Sequence, residues 1–300
     1  MTAASNLSAS IHQKLLNKAT TEQRPFNELL QYYAIERFLY RLGESPYRRK
    51  FVLKGALVFL AWQAPLTRPT RDIDFLGFTE NSVENLIRIV REVCGQTVEP
   101  DGLSFDPESI EGEIIKEDAE YQGVRIKFLG YLGKARINMR LDIGFADVVT
   151  PSPKELEFPT ILESFNTPYI RAYPPETVIA EKFQAMVALA TVNSRMKDFF
   201  DLWFMSNTME FELSLLREAI ENTFKQRNTS LPEQMPIALT HEFAAKQRVQ
   251  WAAFVKKNQI GSGPRDLIEV IDQLKAFFDP IIGVKEVINQ RWIPNRGWGP

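Results

Sequence analysis

Two short apolar segments one helix length apart constrain this chain more than any other stretch: Phe51-Val52-Leu53-Lys54-Gly55-Ala56-Leu57 and Arg68-Pro69-Thr70-Arg71-Asp72-Ile73-Asp74-Phe75. Phe51 to Leu53 reads as a strand and Ala56 to Trp62 as a helix. Pro65 and Pro69 then break the chain before a second strand at Asp72 to Leu76. Residues two apart on a strand share a face, so Asp72 and Asp74 project together while Ile73 and Phe75 enter the core. Paired carboxylates suit hard divalent cations. In a two-metal site the ions sit roughly 3.5–4 Å apart, and magnesium also takes phosphate oxygens. An ordinary polar strand face is the competing reading.

Around this unit the hydrophobic periodicity changes twice. After a polar start, Phe26, Leu29, Leu30 and Tyr33 predict a helix over 25–42 that stops at Gly43, and Val83, Leu86, Ile87, Val90 and Val93 predict another over 80–93. From Ile110 the period becomes two. Val124, Ile126 and Phe128 alternate with Arg125 and Lys127; past the turn near Gly130 and Gly133, Ala135, Ile137, Met139, Leu141 and Ile143 alternate with Arg136, Asn138, Arg140 and Asp142. This is a hairpin with one polar face. The Pro-rich stretch 151–175 reads as a connector with one strand near Thr160 to Leu162, and helices are predicted over 176–191, 195–206, 213–227, 240–257 and 264–278. The fold class is therefore α+β, a mixed sheet flanked by helices over 1–165 and a helical domain over 166–300. The tail Arg291 to Pro300, with Trp292 and Trp298 among Gly and Pro, reads as a disordered end or a docking peptide.

Composition removes several chemistries. The chain of 300 residues has 44% apolar and 25% charged residues, enough for a sizeable core, and a net charge of −2, so any nucleic-acid contact needs a local basic patch. One cysteine, Cys94, rules out an intrachain disulfide or thiolate zinc site, and two histidines, His12 and His241, argue against a histidine-rich metal centre or a hydrolase triad. Carboxylates, Lys and Arg carry whatever chemistry there is. No apolar run approaches the roughly 18 residues of a membrane span, and the start Met1-Thr2-Ala3-Ala4-Ser5-Asn6 lacks a signal-peptide pattern, so the chain reads as cytoplasmic.

The remaining candidates keep two readings each. Asp142, in phase with Asn138 and Arg140, is the candidate third acid. Lys54-Gly55 at the head of a helix offers backbone N–H groups to a triphosphate, or Gly55 is a small residue where helix and sheet pack closely. Arg68 and Arg71 neutralise phosphates or pair with the neighbouring acids. On the helix from Glu176, Ile179, Phe183, Met186, Val187 and Ala190 form an apolar stripe with Lys182 at its edge, reaching into a cleft or laying its stem on apolar surface. Arg195, Asp198 and Asp201 recur every three residues, a spacing that structural ion pairing also explains. Lys246, Arg248, Lys256 and Lys257 read as a solvated face ahead of an RNA grip.

Taken with their order, these motifs resemble the AbiEii/AbiGii toxin family of nucleotidyltransferases, within the DNA polymerase β-like superfamily. The resemblance covers roughly residues 30 to 206. Besides the two opening segments it includes Arg37-Phe38-Leu39-Tyr40-Arg41-Leu42, Asp142-Ile143-Gly144-Phe145-Ala146-Asp147, Ala180-Glu181-Lys182-Phe183-Gln184-Ala185-Met186 and Asn193-Ser194-Arg195-Met196-Lys197-Asp198-Phe199-Phe200-Asp201-Leu202. It implies magnesium-dependent transfer of a nucleoside monophosphate from a nucleoside triphosphate (NTP) to an acceptor, in a cleft between the two domains. Asp72 and Asp74 would hold the metals, and Asp142 would complete that site or help deprotonate the acceptor hydroxyl. Lys182 would contact the triphosphate, and Asp198 or Asp201 would position Lys182 or the acceptor. It further implies a tRNA acceptor, growth inhibition or phage defence, and a separately encoded antitoxin. One departure stands out: the superfamily's glycine turn usually reads Gly-Gly or Gly-Ser, whereas Gly55 here precedes Ala56. Alternative readings are a catalytically inactive interaction protein of the same fold, or an enzyme that modifies a protein or small molecule.

Overall fold

The computed structural model describes residues 3–64, 70–116, 122–258, 260, 263–283 and 290–300. It divides into two compact units, one formed by 1–146 with 154–173 and the other by 147–153 with 174–300. Arg68, one of the candidate phosphate ligands, lies outside the described residues. Among the described residues no helix is long and apolar enough to cross a membrane.

Unit 1 contains α1 (Ala3–Thr21), α2 (Phe26–Gly43), β1 (Phe51–Lys54), the short α3 (Val58–Ala61), β2 (Ile73–Gly77), α4 (Val83–Cys94), β3 (Leu103–Lys116), β4 (Gln122–Leu132), β5 (Ala135–Gly144), β6 (Lys154–Glu157) and β7 (Tyr169–Ala172). The strands form one seven-stranded mixed sheet in the order β3-β4-β5-β2-β1-β7-β6. β2 lies at its centre, parallel to β5 and antiparallel to β1. Helix α2 is buried along most of its length and packs on β5 and β7, because Leu29, Leu30, Tyr33, Phe38 and Leu39 leave little of its surface polar. Helix α4 starts where the Ser82 side chain accepts the Asn85 N–H at 3.3 Å, and it buries Leu86, Ile89, Val90 and Val93. The alternating apolar residues of β4 and β5 meet this layer, with Phe38 at 5.3 Å from Phe128 and 5.9 Å from Phe105 between ring centres. Their polar residues occupy the opposite face.

Three local expectations need correction. The polar start folds as α1, whose stripe of Ile11, Leu15 and Ala19 is buried; three residues at intervals of four are too sparse to stand out among polar neighbours. Residues 160–162 form no strand, since the extended segments lie on either side as β6 and β7, paired Leu156 to Ile170 at the sheet edge beyond β1. The presumed connector is thus partly sheet. Finally, the hairpin is a three-stranded meander, because β3 precedes it; a register shift between Asp106 and Glu111 interrupts the period-two pattern of β3.

Unit 2 is mainly helical: α5 (Pro175–Leu189), α6 (Met196–Thr208), β8 (Phe211–Glu212), α7 (Leu213–Gln226), α8 (His241–Lys257), α9 (Leu267–Phe278), β9 (Arg291–Ile293) and β10 (Gly297–Gly299). Its core stacks Phe183 on Phe278 at 4.0 Å, with Phe224 at 5.6 Å from Phe183. The tail is neither disordered nor a free peptide. Strands β9 and β10 form a hairpin whose first strand pairs with β8, and Trp292 is buried against Phe277.

Candidate active site

In unit 1 the acids stand on the polar face of the sheet because strand alternation sends Ile73 and Phe75 into the core. Asp74 is directly opposite Asp142 on the adjacent parallel strand β5, and opposite Lys54 on β1. Extending the row outward, Asp142 faces Arg125 on β4, and Arg125 faces Glu113 on β3. One line of five charged side chains therefore crosses five neighbouring strands. The Arg125 guanidinium grips both Asp142 oxygens, Nε to Oδ1 and Nη2 to Oδ2, each at 2.8 Å. Donating these hydrogen bonds to Asp142 raises the pKa of Arg125 above its ordinary value. Asp72, just before β2, is held by Arg140 Nη2. The Tyr32 hydroxyl steadies the approach to it, accepting the Thr70 N–H at 3.0 Å.

Gly55 completes this arrangement. Its φ is +71°, in the left-handed region that a side chain disfavours, and a Cβ built there would stand 2.0 Å from Asp74 Oδ2. The close-packing reading of Gly55 is therefore met, with a carboxylate as the packed neighbour. Ala56 is buried, and Arg71 is exposed beside Asp72.

Asp72 and Asp74 carry the hard oxygen donors that magnesium takes, Asp74 beside the side-chain-free Gly55 and Asp72 bonded by Arg140, which a metal would have to displace. Asp142 is aligned for the same role but has both oxygens engaged by Arg125. Among the described residues no group of three or more His, Cys, Asp or Glu side chains is gathered closely enough to hold a metal by itself.

Unit 2 carries a second charged cluster. Lys182 Nζ, on α5, lies 2.6 Å from Asp198 Oδ1 and 2.9 Å from Asp201 Oδ2, both carboxylates being buried on α6. Arg195 Nε meets the other Asp198 oxygen at 2.5 Å. Burial alone would raise the Asp198 pKa, but the Lys182 ammonium and the Arg195 guanidinium outweigh it and hold the carboxyl below its ordinary value. Lys182 is thus tied to acids rather than spread over apolar surface. Nearby, Arg227 bonds Asp147 at 2.9 Å and Gln184 at 3.1 Å.

Neither histidine joins these groups: His12 packs on Phe26 and His241 pairs with Asp272 on the surface. Burial pushes the Cys94 thiol up to about 12, which removes it as a nucleophile. The sequence reading does not single out Arg125, Arg140 or Glu113 as partners of the acids. The alternation places them on the right face, but only the strand register pairs them.

A family model described as "Nucleotidyl transferase AbiEii toxin, Type IV TA system" matches residues 37–276. Among solved structures, JHP933 from Helicobacter pylori is 17% identical, with a TM-score of 0.42 over 89% of this chain and 88% of that one. A second H. pylori structure, described as a candidate nucleotidyltransferase, gives 17% identity and a TM-score of 0.42 over 89% and 91%. No curated protein matches.

Proposed function

We propose, from the premise that this chain belongs to the AbiEii nucleotidyl transferase toxin family of type IV toxin–antitoxin systems, that it moves a nucleoside monophosphate from an NTP to a hydroxyl of RNA, such as a tRNA, with magnesium. The alignment of Asp74 with Asp142 beside the side-chain-free Gly55 is the observation that supports this best.

In the proposed reaction the acceptor oxygen forms a bond to the α-phosphorus, the bond from that phosphorus to the β-phosphate oxygen breaks, and pyrophosphate leaves. Asp72 and Asp74 would hold the metal. When bound, magnesium lowers the pKa of the hydroxyl and offsets the charge on the transferring group. Asp142 takes the hydroxyl proton or adds an oxygen to the metal, and Arg125 keeps its carboxylate aimed. Backbone N–H groups at Gly55 and Ala56 would meet phosphate oxygens without a serine hydroxyl. For Lys54 and Arg71 we propose charge neutralisation, and for Lys182 a contact to the triphosphate, with Asp198 and Asp201 fixing its ammonium. Positioning and charge supply the catalysis, with no covalent protein intermediate. A separately encoded antitoxin is the proposed partner.

The test incubates purified protein with magnesium, each labelled NTP in turn, and total RNA, beside the Asp72→Ala/Asp74→Ala variant. Labelled RNA that requires both aspartates is expected. Label on a protein or small molecule instead would reassign the acceptor, and no aspartate-dependent label with any NTP would sink the reading.

A further inference from the structure

The polar face of the sheet extends past the aspartates. Over the outer halves of β4 and β5 it forms a cleft of about 450 Å³, whose charged lining is Arg71, Asp72, Glu111, Lys127, Arg136 and Arg140. Among the described lining residues cations outnumber acids four to two, although the whole chain carries −2; Lys127 is paired with Glu113 at 2.6 Å and Arg140 with Asp72, which leaves Arg71 and Arg136 as the outward-facing guanidinium groups. Such a local excess marks an anion site rather than a general field.

We propose that this cleft holds the phosphate backbone of single-stranded RNA and leads its reactive hydroxyl to Asp72. The inference rests on the RNA-transferase reading above and adds the surface that would receive the acceptor. Arg136 and Arg140 lie on one face of β5, roughly 13 Å apart at about 3.3 Å per residue, so the cationic track is elongated rather than a single pocket. Guanidinium forks match phosphate oxygens in two-point contacts. At its inner end Arg140 is bonded to Asp72, so the track ends at the acid pair. Phe128, the one aromatic among the described lining residues, is buried and packs beneath the sheet on Phe38, so it offers bases no ring to stack on. Recognition is therefore of backbone charge, tolerant of sequence and steeply salt-dependent.

The test measures fluorescence anisotropy of a labelled mixed-sequence 12-nucleotide RNA across a salt series, with a polyglutamate peptide of equal length as competitor. In parallel, the thermal shift produced by NTP with magnesium is recorded. Arg136→Glu should weaken RNA binding about tenfold or more and flatten the salt dependence by about one phosphate contact, while Arg136→Lys retains most of it. The NTP shift should stay as in the wild type, and Lys256→Glu/Lys257→Glu on α8 should leave RNA binding intact. The proposal is overturned if the wild type binds no RNA, if Arg136→Glu binds it as well as the wild type, or if polyglutamate displaces RNA at equal concentration. An RNA complex sensitive to Arg136→Glu in a protein that shows no NTP shift would support the surface and remove the transferase reading.

Discussion

Gly55 and Asp74 are mutually dependent: the left-handed turn after β1 brings the Gly55 Cα so close to the Asp74 carboxylate that a Cβ would stand 2.0 Å from Oδ2. Gly55→Ala therefore has to strain the turn, by roughly 1–3 kcal/mol, and also push Asp74 off the line it shares with Asp142. We expect a lower melting temperature and loss of the thermal shift that the proposed binding of NTP with magnesium would give in the wild type. A Gly55→Ala protein that keeps the full ligand-induced shift would show that Asp74 needs no such space.

Arg125 makes the second prediction. Its guanidinium grips both oxygens of Asp142, an acid that stands opposite Asp74 on the next strand. Without it, two carboxylates about 4.8 Å apart by strand spacing repel each other. Arg125→Gln should melt lower than the wild type in chelator, a cost of roughly 1.5–3 kcal/mol for charged hydrogen bonds, and recover part of that difference at saturating magnesium. Equal losses with and without metal would mean that Arg125 merely braces the sheet.

How much of this is legible from residues alone depends on which periodicity carries it. Parity places Asp72 and Asp74 on one face, and Arg125, Arg140 and Asp142 on the polar face of the hairpin, because side chains alternate strictly along a strand. Register is a different matter. Whether Asp74 faces Asp142 depends on how β2 aligns with a strand more than sixty residues later, and no local pattern encodes that. Four-residue strands such as β6 and β7 leave too few alternations to read, and the shift inside β3 erases its own signal. The Lys182 cluster is legible as a spacing on each helix, whereas its meaning as one buried network required the packing of α5 on α6.

The sign of the acid response in that network is fixed by Lys182. With Lys182 and Arg195 present, the folded-state pKa of Asp198 lies below its ordinary value, so its contribution to stability is complete above the ordinary aspartate range and is lost as pH falls through the lowered value. In Lys182→Met the largest attractive charge is gone and burial dominates, so the pKa rises and stability should instead fall as pH climbs through it. We also expect an overall loss of roughly 3–5 kcal/mol, the usual cost of stranding buried charge. Urea midpoints between pH 3 and 6 measure both effects. A Lys182→Met profile parallel to the wild type would rule out this coupling.

The C-terminal hairpin supplies the last prediction, because its two tryptophans bear on the same residue to different depths. Trp292 is buried, its Nε1 donates to the Ser206 carbonyl at 2.6 Å, and its ring meets Phe277 at 4.9 Å. Trp298 is only half-buried; it stacks on Phe277 at 5.8 Å and donates to the Phe277 carbonyl at 2.9 Å. If the hairpin is part of the unit 2 core, Trp292→Ala should cost roughly 3–5 kcal/mol, as large-to-small core changes do. Trp298→Ala should cost about half as much, since less apolar area leaves water there. A peptide held in reserve for a partner predicts instead little change in the urea midpoint of the isolated protein for either variant. Because the two residues share one neighbour, their double variant should lose less than the sum of the single losses, by at least about 0.5 kcal/mol. Strict additivity would mean that the rings anchor the tail independently and that Phe277 is not the hub joining β9 and β10 to α9.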